Sequence, residues 1–116
     1  MRLNALQYFG LVAIPFVVAS GQILFKMTAT SNAGQGVLGL AGNVTFWIAI
    51  VIYGAATVAW IPTIESVPIS QAYLFMALTY LYVPLLSAFF LNERIAPQNM
   101  LGVGVIILGI VISVWR

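Results

Sequence analysis

Four apolar stretches occupy almost all of this 116-residue chain, which carries only six charged side chains. Those charges lie at or near the ends of the apolar stretches, at Arg2, Lys26, Glu65, Glu93, Arg94 and Arg116. A helix needs about 20 apolar residues to cross a hydrocarbon core of roughly 30 Å, so the chain has room for four crossings and little else. Water-soluble domains normally contain about 25% charged residues, against 5% here. The pattern predicts an all-α integral membrane protein.

The predicted spans form a single four-helix transmembrane domain and cover residues 5–25, 45–64, 69–91 and 97–114. Lys26 closes the first span and Trp115 follows the fourth, in keeping with the cations and aromatic rings found at membrane borders. Pro97 suits the first turn of a helix, where its missing N–H costs nothing. Pro15 and Pro84 fall inside spans and predict kinks, with the freed carbonyls satisfied by neighbouring helices or water.

The link between the first two spans, residues 27–44, is uncharged and rich in Gly, Ser, Thr and Asn. Its glycines at 36, 39 and 42 are compatible with a short interfacial turn of helix, but a flexible loop is the favoured interpretation. No signal peptide is recognised, because the first apolar stretch is too long for the apolar region of such a peptide.

The sequence contains no cysteine and no histidine, and its only carboxylate side chains are Glu65 and Glu93. The first two absences exclude disulfides, thiolate metal sites and the commonest general base. We therefore expect no enzymatic activity, no cofactor and no metal site. The expected partners are membrane lipids and an amphipathic small molecule, not nucleic acid.

Charge does not decide how the chain is oriented in the membrane. Four spans place Arg2 and Arg116 on one side and Lys26 and Arg94 on the other, so the positive-inside rule favours neither orientation. A partner or the first helix could fix one orientation. Alternatively, the chain inserts both ways and inverted copies pair, as inverted repeats do around the midplane sites of many transporters.

A dimer is expected because four helices seldom enclose a solute pathway alone. Gly102 and Gly109 lie two turns apart on one face of the fourth span, with Gly104 to one side. Small residues let helix backbones approach closely in lipid. Packing against a helix of the same chain is the alternative, and the intermolecular contact is favoured.

Polar residues within the spans are the candidates for substrate binding, because such groups are costly in a bilayer. Gln22 and Lys26 are one turn apart on the same face of the first span, and together could hold a phosphate, a carboxylate or a sugar hydroxyl. Tyr73 and Tyr80 belong to an aromatic stripe on the third span and could stack on a sugar ring. The alternatives are snorkelling of Lys26 to the head groups and helix packing or an interfacial belt for the rings.

The remaining charges are assigned to the membrane border. Glu65 lies in the link before Pro68, and Glu93 and Arg94 follow the third span, where adjacent charges can pair or meet lipid phosphates. Surface ion pairs contribute little stability. Gating or placement at the border is therefore the role expected of these three residues.

Three motifs resemble those of the drug/metabolite transporter superfamily, and the last is similar to its "L-G-E-R-L-T-P" hinge before a glycine-rich final helix. They are Gly21-Gln22-x-x-x-Lys26, Pro68-x-x-x-Ala72-Tyr73 and Leu91-Asn92-Glu93-Arg94-Ile95-Ala96-Pro97. The four-helix size restricts the resemblance to two branches. One is the small multidrug resistance exporters, which work as antiparallel dimers, and the other is the small subunits of flippases for undecaprenyl-phosphate-linked sugars such as aminoarabinose.

One position separates the two branches. The exporters carry a glutamate in the first helix that binds protons or cationic substrate, and the alignment on Gly21 and Lys26 places Val18 there. The flippase subunits lack this glutamate and share the Gly-Gln-x-x-x-Lys pattern. Their third helix is similar to residues 70–80 of this chain, although Gln71 stands where they have a lysine.

The resemblance implies a transporter of the cytoplasmic membrane that flips a polyprenyl-phosphate-linked sugar, as a homodimer or beside a sister subunit. A non-transporting accessory subunit of a glycosyltransferase or larger membrane complex is the alternative. A cation or drug exporter is the third option and is disfavoured, because no carboxylate lies deep in any predicted span.

Overall fold

The computed structural model describes residues 4–115, which form helices and no strand. The helices are α1 (Ala5–Ser31), a 3-10 helix (Val37–Gly42), α2 (Val44–Thr63), α3 (Ile69–Met76), α4 (Thr79–Phe90) and α5 (Pro97–Val114). Three segments are long and apolar enough to cross a membrane, namely α1, α2 and α3 together with α4, and α5 is a shorter apolar helix. The predicted all-α membrane fold is confirmed. Arg2 and Arg116, which entered the orientation argument, lie outside the described residues.

Helix α1 begins at a capping box and continues well past Lys26. The Gln7 amide donates to Asn4 Oδ1 over 2.8 Å and the Asn4 amide donates to Gln7 Oε1 over 3.0 Å, which satisfies two of the free donors at the helix start. The 27 residues of α1 extend about 40 Å at 1.5 Å per residue. Lys26 is therefore inside the helix, about 31 Å along it from Ala5, and the last turns extend beyond a hydrocarbon core of ordinary thickness.

The link after α1 is built from specific contacts and contains a 3-10 helix, so it is not an irregular loop throughout. Asn43 caps α2 by accepting from the Thr45 amide over 3.0 Å, and its side-chain amide donates to Ser31 Oγ over 2.9 Å. The Trp47 indole donates to the Ala41 carbonyl over 2.9 Å. These hydrogen bonds tie the link to both flanking helices.

The third span is broken into two helices at Ala77 and Leu78. The amides of these two residues donate to Leu74 and Phe75 over 3.1 and 2.9 Å, which is the tighter i to i+3 pattern of a 3-10 turn. Sequence reasoning expects a kink at Pro84, but the structure places the break before α4 and keeps Pro84 inside it. Because Pro84 has no N–H, the Tyr80 carbonyl loses its helical donor.

The helices pack around a small apolar core near the start of α1. Its buried residues come from α1, the α2–α3 link, α3 and α5, and they are Leu11, Val67, Ala72, Phe75 and Ile110. Helix α2 approaches α1 closely at Gly10, where an added Cβ would lie 2.9 Å from Thr63 Cγ2. Small residues thus allow the α1–α2 contact, as is usual in membranes.

Tyr82 joins α4 to α1 from across the bundle. Its hydroxyl donates to the Val12 carbonyl over 3.1 Å, and its ring packs edge-on against Phe16 with centroids 5.4 Å apart. Since α4 is separated from α3 by the 3-10 turn, this contact helps to fix its position on α1.

Tyr82→Phe should weaken this contact while leaving the ring packing in place. Hydrogen bonds between membrane helices contribute about 0.6 kcal/mol on average, and we expect a loss of unfolding free energy of that size in detergent titrations. Tyr8→Phe is the control, because Tyr8 also packs edge-on against a ring, that of Phe75, and its hydroxyl has no hydrogen bond within the described residues. Equal effects of the two changes would contradict a specific role for the Tyr82 hydroxyl.

Candidate functional site

A cleft of about 730 Å³ runs between α1 and α2 on one side and α3 and α4 on the other. Helix α5 contributes one residue to it. Its lining residues are Ile14, Val18, Gln22, Tyr53, Ala56, Thr57, Trp60, Tyr73, Met76, Thr79, Tyr80, Val83, Pro84 and Asn99. Three of the four predicted substrate-binding residues, Gln22, Tyr73 and Tyr80, therefore line a common cavity.

The walls of the cleft are mostly apolar, with hydroxyl and amide groups among them, and they carry no charge among the residues that the structure describes as lining the cleft. Hydroxyls come from tyrosines and threonines, and amides come from Gln22 and Asn99. The Tyr73 and Tyr80 side chains are 70% and 62% exposed. Neither of their hydroxyls has a hydrogen bond within residues 4–115, so both are available to a ligand. Pro84, which also lines the cleft, removes the helical donor of the Tyr80 carbonyl.

Tyr53 has a double role that the sequence does not reveal. Its ring lies 5.9 Å from the Phe25 ring, and it would be 3.4 Å from a Cβ at Gly21. Its carbonyl accepts from Thr57 Oγ1 over 2.9 Å. Tyr53 is thus held by packing against α1, as the helix-packing interpretation expects, while also lining the cleft.

Lys26, the fourth predicted binding residue, is exposed and is not part of the cleft wall. It follows Gln22 by one turn and lies about 40° around α1 from it. Side chains on a helix lean towards its N-terminus. The Cα–Cβ bond of Lys26 is therefore directed towards the turn that contains Gln22, which lines the cleft.

The three charges predicted to act in gating all lie outside the cleft. Glu65 is exposed in the α2–α3 link, and Glu93 and Arg94 are exposed after α4. Asn92, just before them, adopts a left-handed φ of 57°, which asparagine tolerates better than most residues. The Glu93 amide donates to the Ser87 carbonyl over 3.2 Å. The described residues contain no ion pair between Glu93 and Arg94, so the proposed roles of these charges stay predictions.

Gly102 and Gly109 lie on an open face of α5. An added Cβ at either position would have no heavy atom within 4 Å. The buried residues of this helix are Val103 and Ile110, about 100° around the helix from the two glycines. Packing within the described chain therefore does not explain these glycines, and their place in a dimer contact stays a prediction.

Thr79 and Asn99 line the cleft but are not among the sequence-based candidates. Asn99 lies in the first turn of α5, where the sequence pattern indicates that a polar residue belongs to the membrane interface. Thr79 begins α4 and lies about 100° around the helix from Tyr80. It is one turn from Met76 and from Val83, which also line the cleft, so it lies at the edge of the same helical face.

Known proteins that are similar to this chain are named as subunits of a membrane flippase. A protein of Enterobacter sp. (strain 638) is 30% identical over 109 residues, covering 92% of this chain and 95% of its own length. Relatives from Klebsiella pneumoniae and Salmonella heidelberg are 30% and 31% identical and cover 88% of the chain. Each is named probable 4-amino-4-deoxy-L-arabinose-phosphoundecaprenol flippase subunit ArnE.

No solved structure matches the chain at a significant level. The model of the EamA-like transporter family matches residues 2–115, which is nearly the whole sequence. The predicted transporter superfamily and the multi-pass membrane location are thereby confirmed. This chain belongs to the EamA-like transporter family.

Proposed function

We propose that this chain moves a polyprenyl-phosphate-linked sugar across the cytoplasmic membrane and leaves it chemically unchanged. The observation that carries the proposal is an uncharged cleft between apolar helices whose lining includes the hydroxyls and amides of Tyr73, Tyr80 and Gln22. The relatives named as flippase subunits for such a lipid add support. In this mechanism the sugar passes along the cleft while its polyprenyl chain stays in the lipid.

The lining of the cleft suits a hydroxylated head group. Tyr73 and Tyr80 present both a ring face and a free hydroxyl, and Gln22 supplies an amide that can donate and accept. Aromatic rings combine apolar contact with a polar edge, which matches the alternating faces and hydroxyls of a sugar.

Lys26 supplies the positive charge for the phosphate of the same lipid. It is the only lysine of the sequence and lies one turn from Gln22, which lines the cleft. An ammonium group attracts an anion more strongly in a partly desolvated site than in bulk water. The phosphate can therefore stay near the membrane border at Lys26 while the sugar occupies the cleft.

A second subunit is expected to cover the open side of the cleft. Tyr73 and Tyr80 are largely exposed in the single chain, and the glycine face of α5 is uncovered. A second copy of this chain or a sister subunit of similar fold could supply the missing wall. Glu65, Glu93 and Arg94, all exposed at the ends of the helices, are placed to act as border or gating charges in such an assembly.

Reconstitution in vesicles tests the function directly. The purified protein, alone or with a co-purifying subunit, should carry aminoarabinose-phosphoundecaprenol between leaflets faster than empty vesicles do. Accessibility of the sugar amine to an impermeant reagent gives the readout. If the lipid-linked sugar moves no faster than in empty vesicles in both preparations, transport by this chain is contradicted and an accessory role is favoured.

Lys26→Ala should slow this transport more than Lys26→Arg, because the contact with phosphate needs the charge more than the shape of the side chain. Membrane insertion and helix content should be unchanged in both variants. Vesicle transport rates measure the difference, with Lys26→Arg as the variant that keeps the charge. Normal transport by Lys26→Ala would contradict a phosphate contact at Lys26 and leave that residue as a snorkelling anchor. Arg94 would then be the next candidate for the phosphate contact.

Gly109→Leu should weaken association between subunits, since a larger side chain on this face prevents close approach of the helices. Overpacking of a close contact costs about 1–3 kcal/mol, and association in bilayers measured by energy transfer should show a loss of that size. Gly104→Leu is the matched control, because Gly104 is equally open but lies about 140–160° away around α5. An unchanged dimer fraction for Gly109→Leu would remove the glycine face from the interface.

Expression in a drug-sensitive bacterial host should give no resistance to quaternary ammonium or guanidinium compounds. Val18 lines the cleft at the position that resembles the exporters' glutamate, and exchange of a cation for protons needs a carboxylate that can bind both. A small multidrug resistance exporter expressed in the same host is the positive control. Resistance that disappears when the proton gradient is collapsed would contradict this assignment.

A further inference from the structure

A second cavity of about 300 Å³ lies on the other side of the α1–α4 contact from the cleft. It is lined by Ser20, Ile23, Leu24, Met27, Leu86 and Phe90 and is called the apolar groove below. Its one hydroxyl, on Ser20, already donates to the Phe16 carbonyl over 3.0 Å. The groove therefore offers a ligand apolar contact and no free polar side-chain group.

Lys26 stands between the cleft and the apolar groove on the surface of α1. Gln22 on the cleft side is about 40° around the helix from Lys26, and Ile23 and Met27 on the groove side are about 60° and 100° away in the other direction. All four residues lie within two turns. The cleft, a single ammonium group and the apolar groove thus follow one another around this end of α1.

We propose that the apolar groove binds the phosphate-proximal isoprene units of the lipid whose sugar enters the cleft. This inference rests on the proposed function, because it assigns the tail of the same substrate. A glycosyl phosphoryl polyprenol has its sugar, phosphate and apolar chain in that covalent order, and the order matches cleft, Lys26 and groove. Burial of the branched chain against Leu24, Leu86 and Phe90 holds the lipid in register while the sugar moves.

A substitution that fills the groove should separate tail binding from head-group binding. Leu86→Trp places an indole in the groove, and Leu85→Trp is the matched control, since Leu85 is 46% exposed and outside the groove. The probes are aminoarabinose-phosphoundecaprenol (the long-chain probe) and the methyl ester of the same sugar phosphate, which carries no isoprene unit (the short-chain probe). Leu86→Trp should reduce the vesicle transport rate of the long-chain probe about tenfold, equal to ~1.4 kcal/mol, and leave the short-chain rate unchanged. Leu85→Trp should alter neither rate.

The outcomes distinguish this inference from the function it rests on. If a folded Leu86→Trp protein loses transport rate equally for both probes, or loses none for either, tail binding in the groove is contradicted. The proposed transport function is not affected by that result. Absence of transport of both probes by the unsubstituted protein contradicts the proposed function itself.

Photolabelling of the unsubstituted protein tests the location without a variant. A diazirine on the first isoprene unit of the long-chain probe should label residues of the groove, and unlabelled probe should compete. A phosphatidylglycerol carrying the diazirine on an acyl chain is the control for ordinary membrane lipid. Labelling of the groove by both lipids to the same extent, or labelling by the probe at other surfaces, would overturn the assignment.

Discussion

The structure depends on the requirement that backbone polar groups in a hydrocarbon core find partners inside the protein. Helices meet it almost everywhere, and each proline inside a helix removes one donor. Pro84 removes the helical donor of the Tyr80 carbonyl, and both residues line the cleft. Polar side chains add contacts between helices, as where the Tyr82 hydroxyl donates to the Val12 carbonyl and joins α4 to α1.

The position of the charges follows from the cost of burying them. A charged side chain at the bilayer centre is expensive and needs a functional reason, whereas hydroxyls and amides are less costly and can exchange partners. Among the described residues that line the cleft, every polar side chain is uncharged. Lys26 remains exposed near one end of the span, where it can meet a phosphate without complete desolvation. A hydroxylated head group attached to an anionic phosphate fits this distribution.

Much of the fold could be predicted from the sequence because hydrophobic length alone determines how many helices fit a membrane. The face shared by Gln22 and Lys26, and the exposure of Tyr73 and Tyr80, also follow from helical periodicity. The break at Ala77 and Leu78 could not be predicted, since neither residue disfavours a helix. Thr79 lies one turn from Met76 and Val83 at the edge of the cleft face, and that edge is defined only by the packing of the neighbouring helices.

The 3-10 helix of Val37–Gly42 and the apolar groove depend on contacts between different elements of the fold. Helical periodicity does not predict such contacts. The Trp47–Ala41 hydrogen bond and the pairing of Leu24 with Leu86 across two helices join residues that no local pattern relates. The sequence supplies the apolar residues of the groove, but only the crossing of α1 and α4 places them around one cavity.

The most direct test of the proposed transport is whether the cleft is a water-accessible site for the lipid-linked sugar. The sequence contains no cysteine, so single cysteines can be placed without background. Thr57→Cys and Thr79→Cys, in the cleft, should react with a membrane-impermeant thiol reagent and become protected by aminoarabinose-phosphoundecaprenol. Val51→Cys on the outer face of α2, where Val51 is 69% exposed, should not react in a bilayer. Cleft cysteines that stay as unreactive as Val51→Cys, or react equally with and without the lipid-linked sugar, would contradict a sugar pathway through the cleft.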